Sequence, residues 1–285
     1  MIQRVGFIGL GNIGAPMARN LCGGTFEVIV FDLQEEAMAP LLEAGAKAAA
    51  SAREVGERSE MVGVCVVDDA ATFAVVAGED GILAGAAAGT IIALHGTIHP
   101  DTARRLGEQA AASGVAVVDA QMTGGPRGAE ARQLRYMVGG DAQVLERCRP
   151  VLETSAAEIT HCGALGMGAV AKLCNNLAQY VAWQGFVEAD RLARHAGLDP
   201  EILLQVLSWL MNDNARLMLA GRNALEAAPD NEFLGSRMGA AMRLAEKDLS
   251  LALDVARWVE VSLPGAGLCA QEAARLFGVP DPGRR

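Results

Sequence analysis

Basic charge, long apolar runs and paired cysteines are all scarce in this 285-residue sequence. The formal net charge is −10, whereas proteins that bind nucleic acids present a basic surface to the phosphates, so we expect no nucleic-acid partner. No apolar run reaches the about 18 residues that a membrane-spanning helix needs, and we expect no membrane partner. The first residues predict a strand and not a leader peptide.

The six cysteines are scattered, with no C-x-x-C pair and no histidine at the spacing of a zinc site. Scattered cysteines in a chain of this length are typical of small buried side chains in a reducing compartment. We therefore expect a cytoplasmic protein without a metal site.

Lysine is also rare. Of 24 basic residues only three are lysines, at positions 47, 172 and 247, and the others are arginines. A lysine retained in such a chain can mark a position where arginine cannot replace a compact, titratable amine.

The N-terminal half alternates short apolar strands with Ala-rich helical stretches, which predicts a doubly wound parallel sheet. After about residue 163 the strand pattern ends and only helical segments follow. The first of these, in the connecting segment 164–196, is predicted from Gly166 to Ala196 and is about 45 Å long at 1.5 Å per residue. We predict an α/β fold with a cofactor-binding Rossmann domain over residues 1–163. Residues 164–285 would form an all-helical domain that begins with this long connecting helix.

A glycine motif, Gly9-Leu10-Gly11-Asn12-Ile13-Gly14, fits G-x-G-x-x-G between the first predicted strand and helix. Such a loop lets the backbone approach a pyrophosphate, while the helix N-terminus offers N–H groups to the phosphates. Asp32 ends the next strand, where an acid accepts hydrogen bonds from both ribose hydroxyls and repels a 2′-phosphate. Neither Leu33 nor Gln34 supplies the arginine that NADP favours. The motif predicts a site for NAD, with NADP disfavoured.

Four ordered motifs resemble those of the β-hydroxyacid dehydrogenase family. The glycine motif is the first, and Asp119-Ala120-Gln121-Met122-Thr123-Gly124-Gly125 is similar to the family's substrate loop. Gly166 to Asn176 resembles the catalytic helix G-x-G-x-x-x-K-x-x-N-N, and Lys247-Asp248-Leu249 resembles a segment near the cofactor. The resemblance extends from residue 1 to about residue 264. It implies a Rossmann domain, a long connecting helix, an all-helical C-terminal domain, and a homodimer or homotetramer.

The resemblance assigns catalysis to Lys172, substrate binding to Thr123, Gly124, Gly125 and Asn176, and cofactor contacts to Val66, Val67, Thr97 and Lys247. The residue types suit these roles. Lys172 and Asn176 are four residues apart, so they share one face of a helix. A partly desolvated lysine can act as a base near neutral pH, and glycine amides can hold a carboxylate. Lys247 could instead be a surface lysine paired with Asp248.

The sequence departs from the family pattern in the substrate loop and after the apolar run Thr90–Leu94. Gln121 replaces a proline, Thr123 replaces a serine, and Arg127, Arg132 and Arg135 add cations. The arginines could hold a second anionic group or be solvated surface residues. His95, directly after this run, is either a buried strand-end residue or an extra acid.

Together these features predict an NAD-dependent oxidoreductase. It would interconvert a small 3-hydroxy acid and its semialdehyde or keto acid, with Lys172 as general acid/base. The alternatives are an imine reductase of the same architecture and a non-catalytic NAD-binding interaction module.

Overall fold

A computed structural model describes residues 2–280, which divide into two compact units with the boundary between Lys172 and Leu173. The first unit contains an eight-stranded sheet of order β3-β2-β1-β4-β5-β6-β7-β8. Its strands are β1 (Arg4–Ile8), β2 (Glu27–Phe31), β3 (Lys47–Ala48), β4 (Met61–Val64), β5 (Ile91–Leu94), β6 (Ala116–Thr123), β7 (Leu134–Gly139) and β8 (Ala156–Gly163).

The inner strands are almost wholly buried because helices cover both faces of the sheet. Strands β4 and β5 are buried at every position, as continuous apolar strands of a parallel sheet should be. Two apolar cores result. One contains Phe7, Val118 and Tyr136, and the other contains Ile29, Val62 and Leu106. The sequence prediction of a Rossmann sheet is therefore confirmed.

The last two strands, β7 and β8, run against the direction of β1 to β6. Strand β7 pairs antiparallel with β6, with Thr123 opposite Arg135, while the other paired strands run parallel. Only residues 124–133 connect β6 to β7, whereas a parallel crossover needs about a dozen or more residues. The short connection therefore returns the chain as a hairpin. The sequence also gave no signal for the edge strands β3 and β8, whose residues are mostly exposed or half-buried.

The helices of the first unit fill the connections between strands. Local caps begin several of them: Ser51, Asp68 and Asp141 each accept a backbone N–H of the helix that follows. These helices are α1 (Gly14–Leu21), α2 (Ala39–Glu43), α3 (Ala52–Arg58), α4 (Asp69–Ala77), α5 (Ile82–Gly85), α6 (Pro100–Ala111), α7 (Gly125–Glu130) and α8 (Ala142–Leu152).

The described part of the second unit is helical. The unit boundary falls within α9 (Met167–His195), the long helix that the sequence predicted. Asp199, Asn212 and Asn231 cap the next three helices, and Tyr180, Met218, Leu249 and Phe277 are among the core residues. The remaining helices are α10 (Pro200–Val206), α11 (Asp213–Ala227), α12 (Glu232–Trp258), α13 (Pro264–Gln271) and α14 (Ala273–Phe277).

Among residues 2–280, none of the helices is both long and apolar enough to cross a membrane. The last five residues of the domain predicted over 164–285 lie outside the described residues.

Candidate active site and cofactor site

The glycine motif lies where the strand order changes direction, because β1 has β2 on one side and β4 on the other. Ligands of open α/β sheets bind in the crevice at such a point. Gly9 has φ +88°, and a Cβ on Gly14 would lie 1.9 Å from the Gly9 carbonyl oxygen. A Cβ on Gly11 would contact nothing within 4 Å. Gly9 and Gly14 therefore pack the turn against the helix, while the space beside Gly11 fits a pyrophosphate.

The side chain of Asp32 connects β2 to the glycine loop. Its Oδ2 accepts a hydrogen bond from the Leu10 N–H at 2.6 Å, and its Oδ1 accepts one from the Gln34 N–H at 2.9 Å. A carboxylate has about four lone-pair sites, so acceptor capacity is left for two ribose hydroxyls. Leu33, beside it, is 90% exposed and carries no charge. This end of the crevice therefore offers acceptors for ribose hydroxyls, and Leu33 adds no cation.

The glycine loop exposes Asn12, whereas Ile13 is half-buried and the Leu10 side chain lies in the core. Any cofactor contact of Leu10 would therefore come from its backbone. This accounts for all six residues of the motif.

The loops that follow β4 and β5 begin at the same edge of the sheet. Val67 is exposed, and Val66 and Thr97 are half-buried. A Cβ on Gly96 would lie 2.4 Å from the Val66 carbonyl oxygen, so the two loops lie in close contact. A second link is the hydrogen bond from the His99 N–H to Asp69 Oδ1 at 2.9 Å. These two loops therefore form a common surface at the edge of the sheet where the glycine loop lies, and this surface includes Val66, Val67 and Thr97.

His95 is buried behind this surface. Its ring stacks on Phe7 at 5.8 Å between centroids, and Nδ1 lies 2.8 Å from the Ala120 carbonyl oxygen. Burial lowers the pKa of His95 to about 4, so the ring is neutral at pH 7. Of the two interpretations of His95, the structure favours the buried strand-end residue.

The substrate loop follows directly from β6. Thr123 ends the strand, Gly124 and Gly125 have φ values of 125° and 65°, and α7 begins at Gly125. These left-handed conformations favour glycine and turn the chain sharply at Thr123. Gln121 is fully buried, and its Nε2 donates to the Leu94 carbonyl oxygen at 3.0 Å. The glutamine is thus a link between β5 and β6.

The three arginines near this loop differ in their surroundings. Arg132 Nε donates to Asn20 Oδ1 at 3.3 Å, and Arg135 Nε lies 3.9 Å from Glu158 Oε2. Arg127 is exposed on α7, two residues after Gly125. Of the three, Arg127 is the best placed along the chain to meet a second anionic group.

Asp119, the first residue of the substrate motif, is fully buried in β6. Its Oδ1 accepts the Gly166 N–H at 2.8 Å, and its Oδ2 accepts the Ala169 N–H at 2.7 Å. Burial raises the pKa of Asp119, and the N–H donors of Gly166 and Ala169 act in the opposite direction. No role was predicted for Asp119, although an acid within an apolar strand is a visible signal in the sequence.

Lys172 is half-buried on α9, and Asn176 lies one turn further along the same helix. Asn176 is only 5% exposed, and its Nδ2 donates to Asp248 Oδ2 at 2.7 Å. Its Oδ1 accepts from Asn175 Nδ2 at 3.0 Å. One N–H and one lone pair of the Asn176 amide are left after these two bonds.

The buried Asp248 is the centre of a cluster of polar side chains that includes Asn176. Besides the Asn176 amide, it accepts the Tyr180 hydroxyl at 3.1 Å, and Lys247 Nζ lies 3.1 Å from its Oδ1. Burial, with the charge of Asp248, raises the pKa of Tyr180, which stays protonated. The ion pair with Asp248 is the alternative that the sequence left open for Lys247. Sequence reasoning missed Tyr180, which carries no motif signal.

Metal-binding clusters of three or more His, Cys, Asp or Glu side chains are not found between residues 2 and 280.

Two family models together match most of the chain. Residues 4–163 match the NAD-binding domain of 6-phosphogluconate dehydrogenase, and residues 166–277 match the NAD-binding domain of NADP-dependent 3-hydroxyisobutyrate dehydrogenase.

Characterised relatives are similar along nearly their whole length. A 3-hydroxyisobutyrate dehydrogenase of Pseudomonas aeruginosa is 40% identical over 96% of this chain and 91% of its own. An NAD-dependent L-serine dehydrogenase of the same species is 36% identical over 94% and 90%. The solved structure of Mycobacterium tuberculosis 3-hydroxyisobutyrate dehydrogenase with L-serine is 31% identical, covers 96% of this chain and 94% of that one, and superposes with a TM-score of 0.81.

Imine reductases share the fold. The enzyme of Streptomyces aurantiacus covers 96% of this chain and 94% of its own with a TM-score of 0.67, but it is only 19% identical. That likeness concerns the fold alone.

Proposed function

The chain belongs to the β-hydroxyacid dehydrogenase family and is a nicotinamide-dependent oxidoreductase acting on CH–OH groups; from that premise we propose its cofactor, substrate class and site residues. The proposed reaction interconverts a small 3-hydroxy acid and its semialdehyde or keto acid, with NAD as cofactor. The observation that carries the substrate class is the sharp glycine turn after Thr123, in the same unit as Lys172.

NAD is preferred to NADP because of the charges at the end of β2. Asp32 is held by the Leu10 and Gln34 amides with lone pairs to spare, and Leu33 gives a 2′-phosphate no cation. The six glycine-motif residues would hold the pyrophosphate. Val66, Val67 and Thr97 would line the nicotinamide half, and Lys247 would contact the cofactor.

The protein's own residues bind the acid and move a proton. The Thr123 hydroxyl and the Gly124 and Gly125 amides hold the substrate carboxylate. Lys172 takes the proton of the substrate hydroxyl in oxidation and returns it in reduction. Asn176 offers its remaining amide N–H to the same substrate oxygen. When bound, the nicotinamide supplies hydride acceptance and donation.

Most of the proposed cofactor residues lie in the predicted NAD-binding domain, residues 1–163, whereas Lys247 lies outside it. Residues 164–285, including the connecting helix near 164–196, would form the substrate and oligomerisation domain, which mediates assembly into a homodimer or homotetramer. Exposed apolar side chains of the second unit support assembly, among them Trp209 (81% exposed) and Leu192 (72% exposed). The six thiols are consistent with our proposal of a cytoplasmic location.

The proposal is tested by NADH absorbance with a panel of 3-hydroxy acids and their methyl esters. We expect turnover of an acid and a much lower kcat/KM for its ester, because the ester is neutral and a weaker acceptor for the Thr123, Gly124 and Gly125 donors. NADH binding without turnover of any acid would indicate an interaction module. Equal kcat/KM for acid and ester would contradict the carboxylate site.

Lys172 variants test the proton transfer. Lys172→Ala should lower kcat at least about a hundredfold with nearly unchanged NADH binding, since general acid–base catalysis contributes about 10²–10⁴-fold. Lys172→Arg should be almost as damaging because a guanidinium stays protonated. The matched control is Lys47→Arg, whose exposed lysine pairs with Glu27. A Lys172→Arg enzyme with near-normal kcat would show that the proton moves elsewhere.

A further inference from the structure

The buried carboxylate of Asp119 joins two elements of the first unit that carry proposed site residues. Asp119 lies in β6, the strand that ends at Thr123, and both of its oxygens bind the beginning of α9. Lys172 is three residues after Ala169, one of the two bonded residues, so it lies about one turn further along α9.

The beginning of α9 depends on this distant side chain. The first N–H groups of a helix have no partner within the helix, and a side chain just before it usually accepts them. Here the preceding residue is Gly166, which has no side chain. The Met167 N–H donates to the Ala164 carbonyl oxygen at 3.0 Å. Asp119 accepts the N–H groups of Gly166 and Ala169 from a strand about 50 residues away.

The helix also lies directly against the strand backbone at this point. A Cβ on Gly168 would lie 2.4 Å from the Asp119 carbonyl oxygen and 2.5 Å from that of Met137. On the strand side, a Cβ on Gly139 would lie 2.3 Å from Asp119 Oδ1. The close contact leaves no room for the first turn of α9 to shift without breaking the bonds to Asp119.

We propose that Asp119 is a positioning residue, which sets the place of Lys172 relative to the Thr123–Gly125 loop. The Asp119 carboxylate is bonded to α9, which carries Lys172, and belongs to β6, which leads into the Thr123–Gly125 loop. It therefore fixes the positions of both Lys172 and the loop. This inference rests on the proposed roles of Lys172 and Thr123. A purely structural anchor would contribute to folding stability but would leave kcat per folded active site unchanged.

Asp119→Asn tests the proposal because asparagine has the same shape but one acceptor oxygen, and its amide group opposes a backbone N–H. We expect kcat per NADH-binding site to fall at least about tenfold, since a displacement near 1 Å can cost about a hundredfold. The NADH dissociation constant should stay within about twofold, because Asp32 and the glycine loop are untouched. Fluorescence titration with NADH measures both the concentration of NADH-binding sites and the dissociation constant.

The matched control is Val76→Ala, a truncation of a fully buried side chain in α4. It should lower the thermal midpoint by removing core packing while keeping wild-type kcat per NADH-binding site. If Asp119→Asn likewise keeps wild-type kcat per site, Asp119 is only an anchor and the proposal is wrong.

The double variant Lys172→Ala/Asp119→Asn separates this proposal from the proposed function. If Asp119 acts through Lys172, the double variant should have the kcat of Lys172→Ala within about twofold. If the kcat of the double variant instead falls by the product of the two single-variant losses, Asp119 does not act through Lys172 and the proposal is wrong. A Lys172→Ala enzyme with normal kcat would instead contradict the proposed base.

Gly168→Ala gives the same test with Asp119 intact, in case Asp119→Asn does not fold. The added methyl group must move the beginning of α9 away from β6. We expect lower kcat per NADH-binding site and unchanged NADH affinity, and unchanged kcat would contradict the proposal.

Discussion

At the scale of single residues, the charge of Asp32 has the most direct consequence. Asp32→Ser combined with Leu33→Arg should change the kcat/KM ratio in favour of NADP by about tenfold to a hundredfold, the range of one charge-assisted hydrogen bond. Steady-state kinetics with both cofactors measures the ratio, and Leu33→Ala is the control. Because Asp32 also holds the Leu10 N–H, some loss of total activity is expected. A wild-type enzyme with higher kcat/KM for NADP would contradict the NAD proposal.

His95 gives a pH dependence of stability. Its pKa is about 4 in the folded chain and near 6.5 when unfolded, so the unfolded state binds more protons between these values. The stability due to neutral His95 is therefore present above about pH 6.5 and is lost as the pH falls toward 4. Between pH 7.5 and 5.0 it should cost about 2 kcal/mol. Urea unfolding at both pH values measures this change.

The variant His95→Gln separates this effect from other titrations. Glutamine keeps an N–H donor for the Ala120 carbonyl oxygen but does not titrate, so the stability difference between the two pH values should shrink. Replacing the exposed His195 by glutamine is the control and should leave the difference unchanged. An equal pH dependence in wild type and His95→Gln would rule out His95 as the cause.

At the scale of elements, two glycines of the turn between β1 and α1 have different roles: Gly14 is needed for packing, whereas Gly11 leaves space for the cofactor. Gly11→Ala should leave the thermal midpoint nearly unchanged, because its methyl group would meet no protein atom within 4 Å. It should weaken NADH binding about tenfold or more, because the methyl group occupies the space proposed for the pyrophosphate. Gly14→Ala should lower both stability and affinity, since its Cβ would lie 1.9 Å from the Gly9 carbonyl oxygen.

The control for Gly11 is Gly235→Ala in α12, where a Cβ also meets nothing within 4 Å. NADH affinity should be unchanged there, and the helix should gain about 0.5–1 kcal/mol from replacing glycine. Wild-type NADH affinity in Gly11→Ala would exclude a phosphate at this turn.

At the scale of the whole molecule, the exposed apolar side chains of the second unit predict assembly. Trp209, Leu192 and Phe233 are each more than two-thirds exposed, and four apolar residues near Trp209 in the sequence, Ile202, Leu204, Val206 and Leu210, are 41–59% exposed. We expect this segment to form an interaction surface, because large contiguous apolar patches are rare on monomers. Light scattering after size exclusion should give a dimer or tetramer mass for the wild type. Trp209→Glu should lower the mass or raise the dissociation constant of the assembly. A wild-type monomer at micromolar concentration would contradict the proposal.

Local patterns in the sequence were enough for the elements that depend on neighbours along the chain. The glycine motif predicted the turn after β1 because its backbone requirement is local, and the buried strands β4 and β5 were visible as apolar runs. The long helix α9 was predicted to within one residue at each end, because Gly166 and Gly197 border it. The order of the four motifs indicated the family.

Tertiary structure decided what depends on residues far apart in the chain. The direction of β7 followed from a short connection, and the burial of His95 followed from Phe7 and Tyr136 packing around it. The bonds of Asp119 to α9 and of Asp248 to Asn176 join residues about 50 and about 70 positions apart. No local period encodes such pairs, because a hydrogen bond between distant segments depends on how the elements pack. The sequence therefore determined the fold class and the chemistry of single side chains, and the packing determined which of them are held together.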